Sequence, residues 1–291
     1  MTSTAEILKK VRKIEIKTKE LSKHLFSGEY SSTFKGRGMS FSEVRDYTYG
    51  DDVRNIDWNV TARTNEPHVK VFEEERELTV IFVVDVSRSS FFGTVNQFKS
   101  EINTEICATL GFSALTNNDK VGLILFTDRV EKYIPPKKGR NHILRIIREL
   151  IYFEPTGTTT NLAEALSYLN GVVKKRSIAF VMSDFMTDQY HQQLKISARR
   201  HDVIGVRVYD DLESRLPDVG LIKVIDAETN QEILLDTGSS RIRENYEHDF
   251  QVKSDYFFDS FRRNGASILT VNTKEDYVKH LMRFFKSRNR K

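Results

Sequence analysis

The run Thr79-Val-Ile-Phe-Val-Val84, six mostly β-branched or aromatic residues, constrains the fold more than any other stretch of the chain. A strand with one wet face alternates apolar and polar residues. A continuous run is instead buried on both faces, as in parallel sheets covered by helices on each side. This run ends in Asp85, followed by Ser87 and Ser89 at alternate positions. Open α/β sheets bind ligands where their strands leave the sheet, so one carboxylate and two hydroxyls stand at a suitable place. Hard oxygen donors clustered in this way suit a hard cation such as Mg²⁺. The same residue types are also ordinary helix N-caps, because their side-chain oxygens accept from free backbone N–H groups. The triplet alone leaves both readings open.

An alternation of strands and helices follows from Val69 onward. Strands are expected at 69–75, 79–85, 120–126, 129–134, 177–183, 202–209 and 266–271, with helices at 94–116, 140–153, 161–173, 188–200, 240–263 and 274–287. That rhythm implies right-handed crossovers and a doubly wound, mostly parallel α/β sheet with helices on both faces. One pair breaks it: only Thr127 and Asp128 separate 120–126 from 129–134. So short a connection makes a hairpin, and 129–134 an antiparallel edge strand. A second hairpin, 221–226 with 231–236, reads as an insertion near 219–238. Upstream, Ile7, Val11, Ile14, Thr18, Leu21 and Leu25 mark one face of a helix over 4–25. The chain thus divides into an N-terminal amphipathic helix (1–27), a polar and aromatic accessory segment (28–76) and the α/β domain (77–291).

Composition removes several classes of function. No apolar run approaches the roughly 20 residues that a membrane helix needs, and the N-terminus has no signal-peptide core, so a cytoplasmic location is expected. A single cysteine, Cys107, rules out an internal disulfide and any multi-cysteine metal cluster. The net charge of +4 is unevenly placed: 1–24 carries +4 and 277–291 carries +6, which leaves −6 on the span between them. A nucleic-acid binder carries its basic face on the folded body; charge confined to the ends reads as solvated tails, and nucleic acid is not an expected partner.

Two further segments bring oxygen donors toward Asp85. One is the threonine-rich loop Pro155-Thr-Gly-Thr-Thr-Thr160, which enters an amphipathic helix; the other is the buried strand Ser177-Ile-Ala-Phe-Val-Met-Ser183, which runs into Asp184. Strand–Asp-x-Ser-x-Ser, then a loop Thr, then strand–Asp resembles the metal-ion-dependent adhesion site of von Willebrand factor A domains. The resemblance implies a six-stranded sheet of order 3-2-1-4-5-6 and a metal shell of Asp85, Ser87, Ser89, Thr160 and Asp184. It also implies Mg²⁺ as the ion, with Mn²⁺ or Ca²⁺ as alternatives, and capture of a partner's carboxylate. The threonine loop departs from the family's usual double glycine, which leaves Thr158 and Thr159 as rivals of Thr160.

The resemblance narrows with Gly36-Arg-Gly38, Phe41-Ser-Glu-Val-Arg-Asp-Tyr47, Gly50-Asp-Asp-Val-Arg54, Ile56-Asp-Trp58, Pro135-Pro136, Ser183-Asp-Phe185 and Leu216-Pro217. These look like a bacterial von Willebrand A-like family catalogued as a domain of unknown function. Its members are commonly encoded beside MoxR-type AAA+ ATPases. That implies an adaptor or substrate-recruiting role with such an ATPase, its client, or both.

Catalytic equipment is missing from the sequence. The seven histidines show no close ligand pairing, and neither a nucleophile elbow nor a phosphate-binding loop occurs. The chain is therefore read as a non-enzyme. The rival readings are a Mg²⁺-dependent phosphotransferase with Asp85 as nucleophile and a metal-free scaffold. Within 36–63, Glu43, Arg45, Asp46, Asp51, Asp52, Arg54, Asp57 and Arg63 suggest a buried or semi-buried ion-pair network around Trp58, with a docking surface as the other reading. Phe91-Phe92 is read as core.

Overall fold

The structure, a computed structural model, describes residues 12, 14–15, 40–73, 78–91, 98–225 and 232–288. Most of the expected N-terminal helix lies outside the described residues, as does Phe92. Residues 12, 14 and 15 are helical, and Glu15 accepts a hydrogen bond of 2.7 Å from Arg140 Nε. Contacts divide the chain into two units, Phe34–Leu78 and a larger one built on Thr79–Lys291.

In the smaller unit, β1 (Ser40–Asp46) pairs antiparallel with β2 (His68–Glu73). The strand expected at 69–75 is therefore not part of the large sheet. Between the two lies α1 (Trp58–Thr64), whose N-cap Asp57 accepts from the backbone N–H groups of Asn59 and Val60. Arg45 grips Asp51 with two bonds of 2.8 and 2.7 Å, and Arg54 pairs with Asp52 two residues away. The buried or semi-buried ion-pair network expected around Trp58 takes the form of separate pairs, Arg45–Asp51, Arg54–Asp52, His68–Asp46 and Lys70–Asp57, with Asp51 and Asp57 partly buried while Trp58 itself is 69% exposed. α1 buries no side chain, so the indole stays exposed.

In the larger unit, β3 (Thr79–Asp85) leads to α2 (Lys99–Thr116), then β4 (Lys120–Phe126), β5 (Val130–Lys137), α3 (Arg140–Tyr152) and α4 (Leu162–Val172). After these come β6 (Ile178–Ser183), α5 (His191–Arg200), β7 (Asp202–Tyr209) and the single turn α6 (Asp211–Ser214). The hairpin β8 (Leu221–Ile225) with β9 (Glu232–Asp236) then precedes α7 (Ser240–Arg263), β10 (Ser267–Asn272) and α8 (Tyr277–Arg288). The six-stranded sheet runs β5-β4-β3-β6-β7-β10 and is parallel except at the β4–β5 edge. Counted along the chain this is 3-2-1-4-5-6, a doubly wound sheet of the von Willebrand A order.

The pleat decides which helices cover which face. Ile81 and Val83 pack with Leu162, Leu166 and Leu169 of α4, Leu194 of α5, and Phe257 and Phe261 of α7. On the opposite face, Phe82 meets α2 near Gly111, which also lies against Ile143 of α3. Every residue from Val80 to Asp85 is buried, as a strand covered on both sides requires. Cys107 is buried within α2, and its thiol lies 3.3 Å from Met182 Sδ.

Candidate metal centre

β3 and β6 are adjacent and parallel, with Val84 opposite Met182, so the two strands deliver Asp85 and Asp184 to the same end of the sheet. This is the switch point of the strand order, where crossovers depart to opposite sides and leave a crevice. Asp85 is 2% exposed. Its Oδ1 accepts from Ser87 N–H at 2.9 Å. Its Oδ2 accepts from Ser183 Oγ at 2.8 Å and from Thr160 Oγ1 at 3.3 Å. Ser87 Oγ and Ser89 Oγ are 3.1 Å apart, and Ser89 also hydrogen-bonds Asp184. The five residues singled out in the sequence thus converge on one another.

Thr160 reaches Asp85 because the threonine loop is clamped. The Glu131 carboxylate on β5 accepts from Gly157 N–H at 2.7 Å, Thr156 N–H at 3.1 Å and Thr127 Oγ1 at 2.9 Å. Gly157 presses so close to the β4–β5 turn that a Cβ there would stand 2.0 Å from Asp128 Oδ1 and 2.1 Å from Thr127 Oγ1. Asn161 N–H donates to Thr127 O, and Asn161 caps α4 by accepting from Glu164 N–H. One glycine and one carboxylate hold the loop.

The electrostatics are uneven. Burial, reinforced by the neighbouring charge of Asp184, raises the Asp85 carboxyl above the ordinary carboxylate range. Asp184 is also pushed up by burial, but the Lys99 ammonium and the Met186 N–H outweigh that and hold it below. Lys99 was not foreseen. It is 2% exposed, and its Nζ lies 3.0 Å from Asp184 Oδ2 and 2.5 Å from Glu213 Oε1. Glu213 in turn accepts from Asp210 N–H at 2.9 Å through Oε2, closing a capping box on α6. Burial and the charge of Asp184 raise Glu213 despite Lys99. Arg207, 3% exposed, donates to Ser254 Oγ at 2.9 Å and stacks 4.9 Å from the Phe250 ring.

The donors are two carboxylates and three hydroxyls, all hard oxygens, as Mg²⁺ or Ca²⁺ prefers. Lys99 is committed to Asp184 and Glu213, while the partners of the buried Asp85 carboxylate include the Ser183 and Thr160 hydroxyls and Ser87 N–H. That set fits a divalent cation. Among the described residues no group of three or more His, Cys, Asp or Glu is arranged to hold a metal, so hydroxyls and water would complete the shell.

The profile of the family described as protein of unknown function DUF58 matches residues 43–256. The chain belongs to the DUF58 family. The match takes in all five candidate ligands as well as Lys99, Glu131 and Glu213. The DUF58 chain is 30% identical over 285 residues to uncharacterized protein Rv1480 of Mycobacterium tuberculosis, covering 96% of this chain and 89% of that one. Solved structures are more distant. An aerotolerance-related membrane protein from Bacteroides fragilis is 14% identical with a TM-score of 0.49, covering 72% of this chain and 99% of that one. The SpRpn10 VWA domain is 9% identical with a TM-score of 0.38, covering 71% and 94%. At these values the sheet order, and not the likeness, carries the fold assignment. No helix among the described residues is long and apolar enough to cross a membrane.

Proposed function

We propose that this DUF58 chain is a protein-interaction module whose sheet end takes Mg²⁺ and, through it, a carboxylate of a protein partner. The observation that carries the reading is the meeting of Asp85, Ser87, Ser89, Thr160 and Asp184 at the β3–β6 switch point. A bound Mg²⁺ would supply an open coordination position for an acidic side chain. The chain's own residues divide the remaining work. Asp85 and Asp184 provide charge, while Ser87, Ser89 and Thr160 provide neutral oxygens whose hydroxyls can turn their lone pairs inward. Ser183 holds the Asp85 carboxylate through a hydrogen bond of 2.8 Å, and the Glu131 clamp holds the loop that carries Thr160.

The partner in this reading is a MoxR-type AAA+ ATPase, for which the chain acts as adaptor or recruiter of a client; this rests on the family resemblance of the sequence. Turnover is not part of it. Both oxygens of Asp85 already accept hydrogen bonds in a buried setting, a poor posture for a nucleophile. The test is association of the full chain with the MoxR-type ATPase of its own organism, followed by sedimentation in Mg²⁺ and in EDTA. Complex formation that is lost in EDTA and in Asp85→Ala is expected. Association indifferent to both would mean a metal-free scaffold, and Asp85-dependent hydrolysis of a generic phosphoester would mean an enzyme.

A further inference from the structure

We propose that Lys99 is a built-in competitor for the cation at Asp184, and that Glu213 moderates it by sharing the ammonium. The inference rests on the Mg²⁺ reading of the site and deepens it by naming what sets the site's affinity.

Lys99 occupies the first position of α2, where the helix dipole disfavours positive charge and where burial disfavours it further. A lysine is stable there only because of the two carboxylates that it bridges, Asp184 at the end of β6 and Glu213 on α6. Both oxygens of Asp184 are engaged, Oδ2 by Lys99 Nζ and Oδ1 by Met186 N–H at 3.2 Å. A divalent ion seated on Asp184 must therefore share an oxygen with an ammonium group or displace it. Two cations at that distance in a water-poor site repel strongly. Glu213 offers the ammonium a second partner. Its other oxygen is anchored by Asp210 N–H, so it stays in place as Lys99 leans toward it. The triad thus works as a balance, with Lys99 opposing the divalent ion and Glu213 drawing Lys99 away from Asp184.

The two side chains then have opposite effects, which a merely structural role would not produce. The experiment is calorimetric titration of MgCl₂ into the full chain as wild type, Lys99→Met, Glu213→Gln and Asp85→Ala, with melting curves in EDTA to show that each folds. Lys99→Met is expected to bind Mg²⁺ about tenfold more tightly than wild type, and Glu213→Gln about tenfold more weakly. If Lys99→Met fails to fold, the double variant Lys99→Met/Glu213→Gln, which keeps the wild-type net charge, is expected to bind more tightly than Glu213→Gln alone. Binding that appears only when Lys99 is replaced would also support the inference. If wild type binds and Asp85→Ala does not, but both Lys99 and Glu213 variants weaken together or leave affinity unchanged, the inference falls and the Mg²⁺ reading stands. No binding in wild type, Lys99→Met or the double variant would overturn both.

Discussion

Asp85 and His201 are buried titratable groups whose environments oppose their charged forms, and each makes a signed prediction. Burial and Asp184 raise the Asp85 carboxyl in the folded chain. Asp85 therefore contributes stability below its unfolded value, and that contribution is lost as pH rises through the folded value. Asp85→Asn is accordingly expected to melt higher than wild type at pH 7.5 in EDTA, and to gain nothing from added Mg²⁺. A lower melting temperature in EDTA would mean that the carboxylate is not strained. His201 runs the other way. Burial, with Arg200 and Arg176 nearby, pushes its imidazole down to about 4 from the ordinary 6.5, while Nδ1 meets Ser177 Oγ at 3.0 Å. Its contribution is present above pH 6.5 and is lost as pH falls toward 4. In urea denaturation, wild type should lose on the order of 2 kcal/mol more than His201→Gln between pH 7 and pH 4.5. Equal slopes would refute this. The candidate ligands were legible because each punctuates an apolar run or a helix start with an oxygen donor. Lys99, Glu131 and Glu213 carried no such signal: Lys99 heads a helix buried along most of its length, Glu131 lies on an edge strand and Glu213 in a single helical turn, and only folding brings Lys99 and Glu213 together across 114 positions.

At the scale of elements, continuous apolar runs marked the sheet well, since β3, β4 and β7 begin and end where the pattern does. Helix starts were less legible. α5 begins at His191, not 188, and α2 at Lys99, not 94. β5 runs on to Lys137 through Pro135 and Pro136, which an edge strand tolerates because its outer N–H groups need no partner. β1 was missed altogether; its apolar residues Phe41 and Val44 stand three apart, because a bulge between Phe41 and Glu43 breaks the two-residue period of a strand. The threonine loop supplies the sharpest test at this scale. Gly157→Ala forces the loop off Thr127 and Asp128, and should both lower the melting temperature and weaken Mg²⁺ binding through Thr160. Unchanged Mg²⁺ affinity would remove Thr160 from the site. In the smaller unit, Asp57→Ala uncaps α1 and should cost about 1 kcal/mol in chemical denaturation.

For the molecule as a whole, the strand order followed from the family resemblance and from the one short connection between β4 and β5. The aromatic core that backs the site was less evident in advance. Phe185, directly after Asp184, adopts φ 56°, a left-handed conformation uncommon for a bulky residue. It is held there by stacking on Phe257 at 4.2 Å and edge-on contact with Phe261 at 5.3 Å. Gly205 of β7 leaves room for these rings, since a Cβ there would lie 2.5 Å from Phe261. Phe257→Ala should therefore cost about 3–5 kcal/mol in denaturant unfolding, and should disturb the site through Phe185.

The most direct test of the account is calorimetric titration of Mg²⁺ into wild-type protein and Asp85→Ala, with melting curves in Mg²⁺ and EDTA. Saturable binding and a raised melting temperature in wild type, both absent from Asp85→Ala, are the predicted result. Indifference of wild type, Lys99→Met and Asp85→Ala alike to Mg²⁺ would contradict it, and Asp85, Ser87 and Ser89 would then be no more than the polar end of a buried strand.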